Sequence, residues 1–350
     1  MSDFPPQPAS KPVEASADFL ANIIGDPRNV GERIQAGPVL RMMYETALSV
    51  AMRHSGARAV LVGFDRVDLP SHIRHLDLVR MEGQVVEVGQ SSMIIEIRCE
   101  VKPHDEREFV GSNVGFVTMV AVDAKGQPLT SIPALDYDSP AGSAAKALAH
   151  HRKAQLAERQ AALEWIDEKH DFQLGDVLEP EQSVRYEYLR PSETALQFKG
   201  QVISPGSYLD GRVKAGDFLA WLDQAAKYTA SQFTRNENMV TLSVNDILFK
   251  QPVHSTDRIE LNSRVIHVRN HTLEVSIDIT VHALNGEQYT LDPVDLQLLN
   301  YGPSGEKRRI TTGLLMDEAD QESLRRYIRA RTRYAFWKSN PESHLMQKPH

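Results

Sequence analysis

Cysteine is nearly missing: Cys99 is the single one among 350 residues. One thiol cannot close an intrachain disulfide, and such sparing use fits a reducing compartment. Cys99 sits in an alternating apolar run and reads as a buried structural thiol, not a nucleophile. Long apolar runs are missing as well. No stretch approaches the roughly 20 residues that span a bilayer. The opening Met1-Ser-Asp-Phe-Pro-Pro-Gln-Pro has no apolar segment of a secretory signal. A cytoplasmic chain without a membrane span is expected. Positive charge is in deficit, with 39 Lys and Arg against 47 Asp and Glu and a net charge of −8. That excludes the basic footprint of nonspecific nucleic-acid binding. There is no His-Glu-x-x-His, and His72-x-x-His75 and His150-His151 lack a third ligand pattern, so no metal is expected. The missing Gly-x-Ser-x-Gly elbow argues against an α/β-hydrolase, and no Gly-rich loop is present to cradle a phosphate.

What is present is one motif, twice. The first copy runs Asn29-Val-Gly-Glu-Arg-Ile-Gln-Ala-Gly37-Pro-Val-Leu-Arg-Met-Met-Tyr44-Glu-Thr-Ala-Leu. The second runs Tyr208-Leu-Asp-Gly-Arg-Val-Lys-Ala-Gly216-Asp-Phe-Leu-Ala-Trp-Leu-Asp223-Gln-Ala-Ala-Lys. They superpose without a gap at an offset of 179 residues. Two positions exchange character: Asn29 faces Tyr208, and Tyr44 faces Asp223. One Asn and one Asp therefore remain, on opposite copies, as one composite site shared by two halves would require. Downstream, Asp77–Val86 matches Asp257–Ile266 and Ser92–Ile97 matches Thr272–Ile277, now at an offset of 180. Self-similarity this long signals duplication of a structural unit. A hydrophobic content of 41% with 25% charge is ordinary globular composition, and 350 residues suffice for two domains.

Each unit reads as one helix followed by strands. Val39, Leu40, Met43, Ala47 and Val50 recur near helical spacing, as do Phe218, Leu219, Leu222 and Ala226. Gly56 ends the first helix. Glu82–Val88, Met93–Arg98 and Val114–Val122 alternate with period two. Asp123-Ala-Lys-Gly126 and Asn285-Gly286 mark turns. The fold class expected is α+β, a long helix against an antiparallel sheet, in tandem. The division is a disordered lead-in over 1–20, a first domain over 21–138, a helical linker over 139–180, a second domain over 181–305 and a helical extension over 306–350. The Ala-, Gln- and Lys-rich linker reads as a solvated connector. The arginines 325, 326, 329, 331 and 333 read as a solvated helix face.

Gly37 and Gly216 stand at helix starts, where first-turn N–H groups lack partners and favour negative charge. A small residue there would let a substrate carbonyl approach an oxyanion pocket. Asp223 lies seven residues past Gly216, about two turns or ~10 Å along the helix. It cannot serve its own helix start. If the two helices run antiparallel, it faces Ala36-Gly37 of the other half, with Asn29 in the loop before. Carboxylate, carboxamide and anion pocket suit attack of water on an activated acyl carbon. The bland alternatives are a surface Asp and a turn Asn after Pro27-Arg28. Against them, Asp223 lies between Trp221-Leu222 and Ala225-Ala226, a flanking pattern of burial, and buried carboxylates are uncommon without a partner or a task.

Several segments carry a family resemblance: Asn29 with the Ala36-Gly37-x-x-Leu40-x-x-Met43 helix start, Trp221-Leu-Asp223-Gln-Ala-Ala, Met239-Val-Thr241-Leu-Ser-Val, Phe249-Lys-Gln-Pro252-Val, and Val88-Gly-Gln-Ser-Ser-Met93. In order, spacing and duplication they resemble the tandem hotdog-fold acyl-CoA thioesterases, including the brain-type cytosolic acyl-CoA hydrolases and their mitochondrial relatives. The resemblance covers about residues 25–135 and 195–305. It implies a helix wrapped by a curved antiparallel sheet in each half, the halves pairing as a pseudo-dimer. It implies hydrolysis of acyl-CoA to fatty acid and CoA, with Asp223 as general base or as nucleophile through a mixed anhydride. Asn29 would position water or substrate, the Ala36 and Gly37 backbone would bind the oxyanion, and Thr241 would support the site. Ser91, Ser92 and Lys250 would meet the nucleotide end of CoA. No cofactor is implied, CoA being part of substrate and product, and further association into a homo-oligomer, such as a trimer of double-hotdog chains, is. Tyr44, Tyr208 and Leu61 depart from the pattern and leave the second, symmetry-related site without its acid, amide and strand Thr. Arg269-Asn-His271 stands where the second copy of the Gly-x-Ser-Ser segment belongs. The rival on the same fold is a non-catalytic acyl-CoA-binding or sensing protein. A dehydratase would want a His paired with an acid at the helix, and His54 comes too late.

Overall fold

Period-two and period-3.6 patterns resolve into two copies of one unit. The structure, a computed structural model, describes residues 9–24, 34–69, 73–177, 185–202 and 211–339. In the first unit β1 (Ser10–Pro12) and β2 (Ala17–Ile23) precede α1 (Ala36–Ser55), and β3 (Arg58–Phe64), β4 (Val67–Asp68), β5 (Leu78–Val88), β6 (Ser92–Lys102), β7 (Val110–Val122) and β8 (Ala134–Asp136) follow. Two connecting helices come next, α2 (Pro140–Glu168) and α3 (Leu174–Val177). In the second unit β9 (Glu187–Leu189) and β10 (Leu196–Gly200) precede α4 (Ala215–Thr234). Then come β11 (Met239–Val244), β12 (Ile247–Leu248), β13 (Arg258–Val268), β14 (Thr272–His282), β15 (Gln288–Asn300), β16 (Thr312–Leu314) and α5 (Gln321–Ser339).

Each unit is a long helix on a six-stranded antiparallel sheet, in the orders β12-β3-β7-β6-β5-β2 and β10-β13-β14-β15-β11-β4. This is the tandem hotdog arrangement. Bulges recur at equivalent places, Leu61/Gly63 with Thr241/Ser243 and Val85/Glu87 with Val265/His267. A bulge bends its strand and increases local twist, which curves a sheet. The units also exchange strands. β4 of the first pairs with β11 of the second, Asp68 against Ser243 and Val67 against Val244. β12 of the second pairs with β3 of the first, Leu248 against Gly63 and Ile247 against Phe64. The two pairings interconvert under the 180-residue offset of the sequence.

Both central helices are 20 residues long. Gly56 caps α1 with φ 64°, a left-handed turn that costs glycine little. α1 is buried through Val39, Leu40, Met43, Tyr44, Ala47, Val50 and Ala51, with its own sheet and α4 both against it. The helices run antiparallel at close range. A Cβ at Gly37 would lie 3.0 Å from Ala220 Cβ, and one at Gly216 would lie 3.0 Å from Arg41 Cα. Positions 41 and 220 are themselves related by the 179 offset, so the contact has an internal pseudo-twofold. These glycines serve helix packing. Side chains from both units merge into one buried cluster.

Three sequence expectations are corrected. The lead-in expected to be disordered to residue 20 is ordered from residue 9: β2 closes the edge of β5 from Ala17 against Gln84 to Ile23 against Leu78, and Val13 and Ser16 are buried. Pairing along a whole strand supplies backbone partners that composition does not reveal. The connector is more than a solvated span. On α2, Arg152 grips Asp65 at 2.5 Å and Arg159 grips Asp246 at 2.6 Å, one acid from each unit. The two arginines are seven residues apart, so about two turns place them on one helix face. The C-terminal arginines do not form a solvated face either. Arg333 is buried, bridging Glu274 and Asp295, and Arg326 pairs with Asp278 and Glu322. Leu163 and Ile166 of α2 pack with Leu324 and Ile328 of α5 in a second small core.

Candidate active site

Asp223 sits in the third turn of α4, where the antiparallel crossing brings it over the start of α1. Its Oδ2 accepts from the Gly37 N–H at 2.9 Å, and its Oδ1 accepts from Thr241 Oγ1 at 2.6 Å. Only 1% of its surface is exposed. Thr241 comes from β11, next to the bulge at Thr241/Ser243, and is buried as well. Burial pushes the Asp223 carboxyl above the usual carboxylate range. The Thr241 hydroxyl, the Gly37 N–H, Lys227 and the Ala36 N–H all pull it back, with less effect. A buried carboxylate that is a stronger base than in water, tethered at both oxygens, is suited to proton abstraction.

One expectation about this site changes. The first-turn N–H of Gly37 is not a vacant oxyanion pocket: it donates to Asp223. The positive end of the α1 dipole holds a protein carboxylate in place. Nor is Gly37 small for the sake of substrate approach, since Ala220 of α4 lies against it. Of the other residues expected here, Asn29 lies outside the described residues, as do Tyr208 and His72.

The pseudo-symmetric position is different. Tyr44 occupies the place of Asp223 and Leu61 that of Thr241, both buried. A cavity of about 250 Å³ opens there, between Tyr44 and Leu61 of the first unit and Ala215, Phe218, Phe249 and Val253 of the second. Lys250 borders this cavity, not Asp223, and pairs with Asp292 at 2.8 Å. Ser91 and Ser92 lie at the β5–β6 turn, where the Ser91 carbonyl accepts from Ala121 N and Ser92 pairs with Val120. Neither lines the cavity, and Ser92 opens β6, in the sheet that does not hold Thr241. The three residues read as a CoA-contacting set are therefore not gathered with Asp223. Cys99 is buried and its thiol is pushed up to about 12 by burial, so it stays protonated and unreactive. His54 is a structural residue at the end of α1, bonded to Ser16 Oγ at 2.8 Å and Pro133 O at 2.9 Å.

Sequence reasoning passed over the buried ionic group under α5. Glu274 accepts from Arg333 Nη2 and, at 3.0 Å, from Asn245, and Asp295 accepts from the same Nη2 at 2.6 Å. The signal was available: Arg326, Arg329 and Arg333 recur at spacings of three and four, which aligns them on one helix face.

Comparison with known proteins gives distant and partial matches. Residues 211–282 match the model of the Thioesterase superfamily. An uncharacterized acyl-CoA thioester hydrolase of Zymomonas mobilis is 28% identical over 121 residues, covering 34% of this chain and 81% of that protein. The acetyl-coenzyme A thioesterase of Rattus norvegicus is 22% identical over 322 residues, covering 90% of this chain and 53% of that protein. The chain thus spans about half the length of the rat relative. Among solved structures, an acyl-CoA hydrolase from Agrobacterium tumefaciens aligns over 83% of this chain and 97% of its own, at 16% identity and a TM-score of 0.32.

Proposed function

We propose that this chain, a distant homologue of hotdog-fold acyl-CoA thioesterases, hydrolyses acyl-CoA to a free fatty acid and CoA at one composite site between its two halves. The observation that carries this reading is the buried Asp223 of one half, held by the Gly37 N–H of the other and by Thr241. Asp223 is the general base. It takes a proton from water, whose oxygen attacks the thioester carbonyl carbon. The carbon–sulfur bond then breaks, and Asp223 returns the proton to the departing CoA thiolate. A base of raised affinity for protons suits both steps. Gly37 and Thr241 act as positioning residues, each fixing one carboxylate oxygen. Asn29, seven residues before Ala36 in the sequence, orients water or the acyl group. No cofactor takes part.

The test is release of free CoA thiol from a panel of acyl-CoAs, short to long, by wild type and by Asn29→Ala. Turnover by wild type with loss in the variant is the expected result, and the panel names the preferred chain length. Tight binding of acyl-CoA without any thiol release would sink the proposal and leave a sensor in its place.

A further inference from the structure

The cavity beside Tyr44 is not used by the chemistry proposed at Asp223. Its walls are mainly aliphatic, including Val60, Leu61 and Val120, with Phe218 between them. At about 250 Å³ it falls just below the roughly 300–1,000 Å³ usual for ligand sites, room for a short or medium acyl chain. One side is cationic. Arg212 borders the cavity, and its guanidinium lies so close to Gly126 that a Cβ there would stand 2.5 Å from Nη2. The Arg212 Nε is buried without a hydrogen-bond partner among the described residues. An unanswered buried guanidinium donor is costly, and an anion would remove that cost. The second cation, Lys250, is already engaged by Asp292.

The pseudo-twofold indicates what is missing. At the start of α1 the positive helix end receives the carboxylate of Asp223. At the start of α4 the equivalent side chain is Tyr44, which brings no carboxylate, and the Asp217 of that first turn is paired with Arg41 at 2.8 Å, while Ala215 faces the cavity. We propose that this cavity is a non-hydrolytic site for a medium-chain fatty carboxylate, its head group on Arg212 beside the start of α4 and its tail among Val60, Leu61, Val120 and Phe218. Tyr44 stands here where Asp223 stands at the other helix start, so this side offers no carboxylate base for hydrolysis. This inference stands apart from hydrolysis at Asp223.

The experiment is photolabelling of the full chain with a ten-carbon fatty acid carrying a chain-end diazirine, followed by peptide mass spectrometry. The expected label falls on the segments holding Val60–Val62, Val120 or Phe249–Val253, and decanoate competes at least tenfold better than decanol. Arg212→Gln should raise the probe concentration needed for half-labelling roughly tenfold, the value of a charge-assisted hydrogen bond. If that variant does not fold, the wild-type label and the decanoate–decanol comparison still decide. Label confined to the peptides of Asp223 and Thr241, equal competition by decanol, or no label at all would overturn the site. None of these readouts needs acyl-CoA turnover.

Discussion

Asp223 is the base of the proposed reaction, and its environment gives it two opposed tendencies. Burial raises its proton affinity, and Thr241 Oγ1 lowers it through a hydrogen bond to Oδ1. Thr241→Val removes the lowering contribution, so the acid limb of kcat/KM should move to higher pH, with activity near the plateau down by roughly tenfold. A pH profile of both proteins checks this; an unmoved limb would separate Thr241 from the base. Stability follows the same shift with a definite sign. A carboxyl with raised folded-state affinity contributes stability at low pH, and that stability is lost as pH rises through its folded pKa. Asp223→Asn should therefore melt higher than wild type at neutral pH, and the difference should vanish in acid below the ordinary carboxylate range. Thermal denaturation across pH measures it. Asp223 was legible in the sequence because the exchange of Asp and Tyr between copies singled it out, and its apolar flanks foretold burial. Gly37 was legible as a helix start. Its engagement with Asp223 and its contact with Ala220 depend on how closely α1 and α4 cross, which no local pattern records.

At the scale of elements, the two central helices approach until backbone meets side chain. Gly216→Ala would set a Cβ 3.0 Å from Arg41 Cα and 3.1 Å from Tyr44 Cδ1. Backbone cannot give way as a side-chain end can, so the helices must part. The expected cost is about 1–3 kcal/mol, read as a lower midpoint in urea with an unchanged slope; a midpoint equal to wild type would mean that the crossing is looser than it stands here. The strands of both units were legible through their alternation and the constant offset. α2 and α5 were legible as helices but not as straps. Their anchors, Arg152 on Asp65, Arg159 on Asp246 and Arg333 on Glu274 and Asp295, join residues from 38 to 87 positions apart.

For the whole molecule, duplication has not yielded two independent bodies. Each sheet borrows a strand from the other unit, one core draws on both, and α2 holds an acid from each. Unfolding should therefore be a single cooperative transition, with far-UV dichroism and fluorescence of Trp165, Trp221 and Trp337 tracing one curve. Two separated transitions would show that the halves are stable alone. The duplication was plain from the sequence, whereas strand exchange was not, because two-residue strands such as β4 and β12 carry no period to read. The cavity beside Tyr44 was hidden for a related reason: the exchange of Asp for Tyr is visible in sequence, the space beside it is not. The most direct measurement of all is kcat/KM for acyl-CoA with wild type and with Asp223→Asn, folding verified by dichroism. A loss of about 10²–10⁴-fold in the variant is the result expected of a buried general base. A folded Asp223→Asn that releases thiol at the wild-type rate would contradict the assignment of the site.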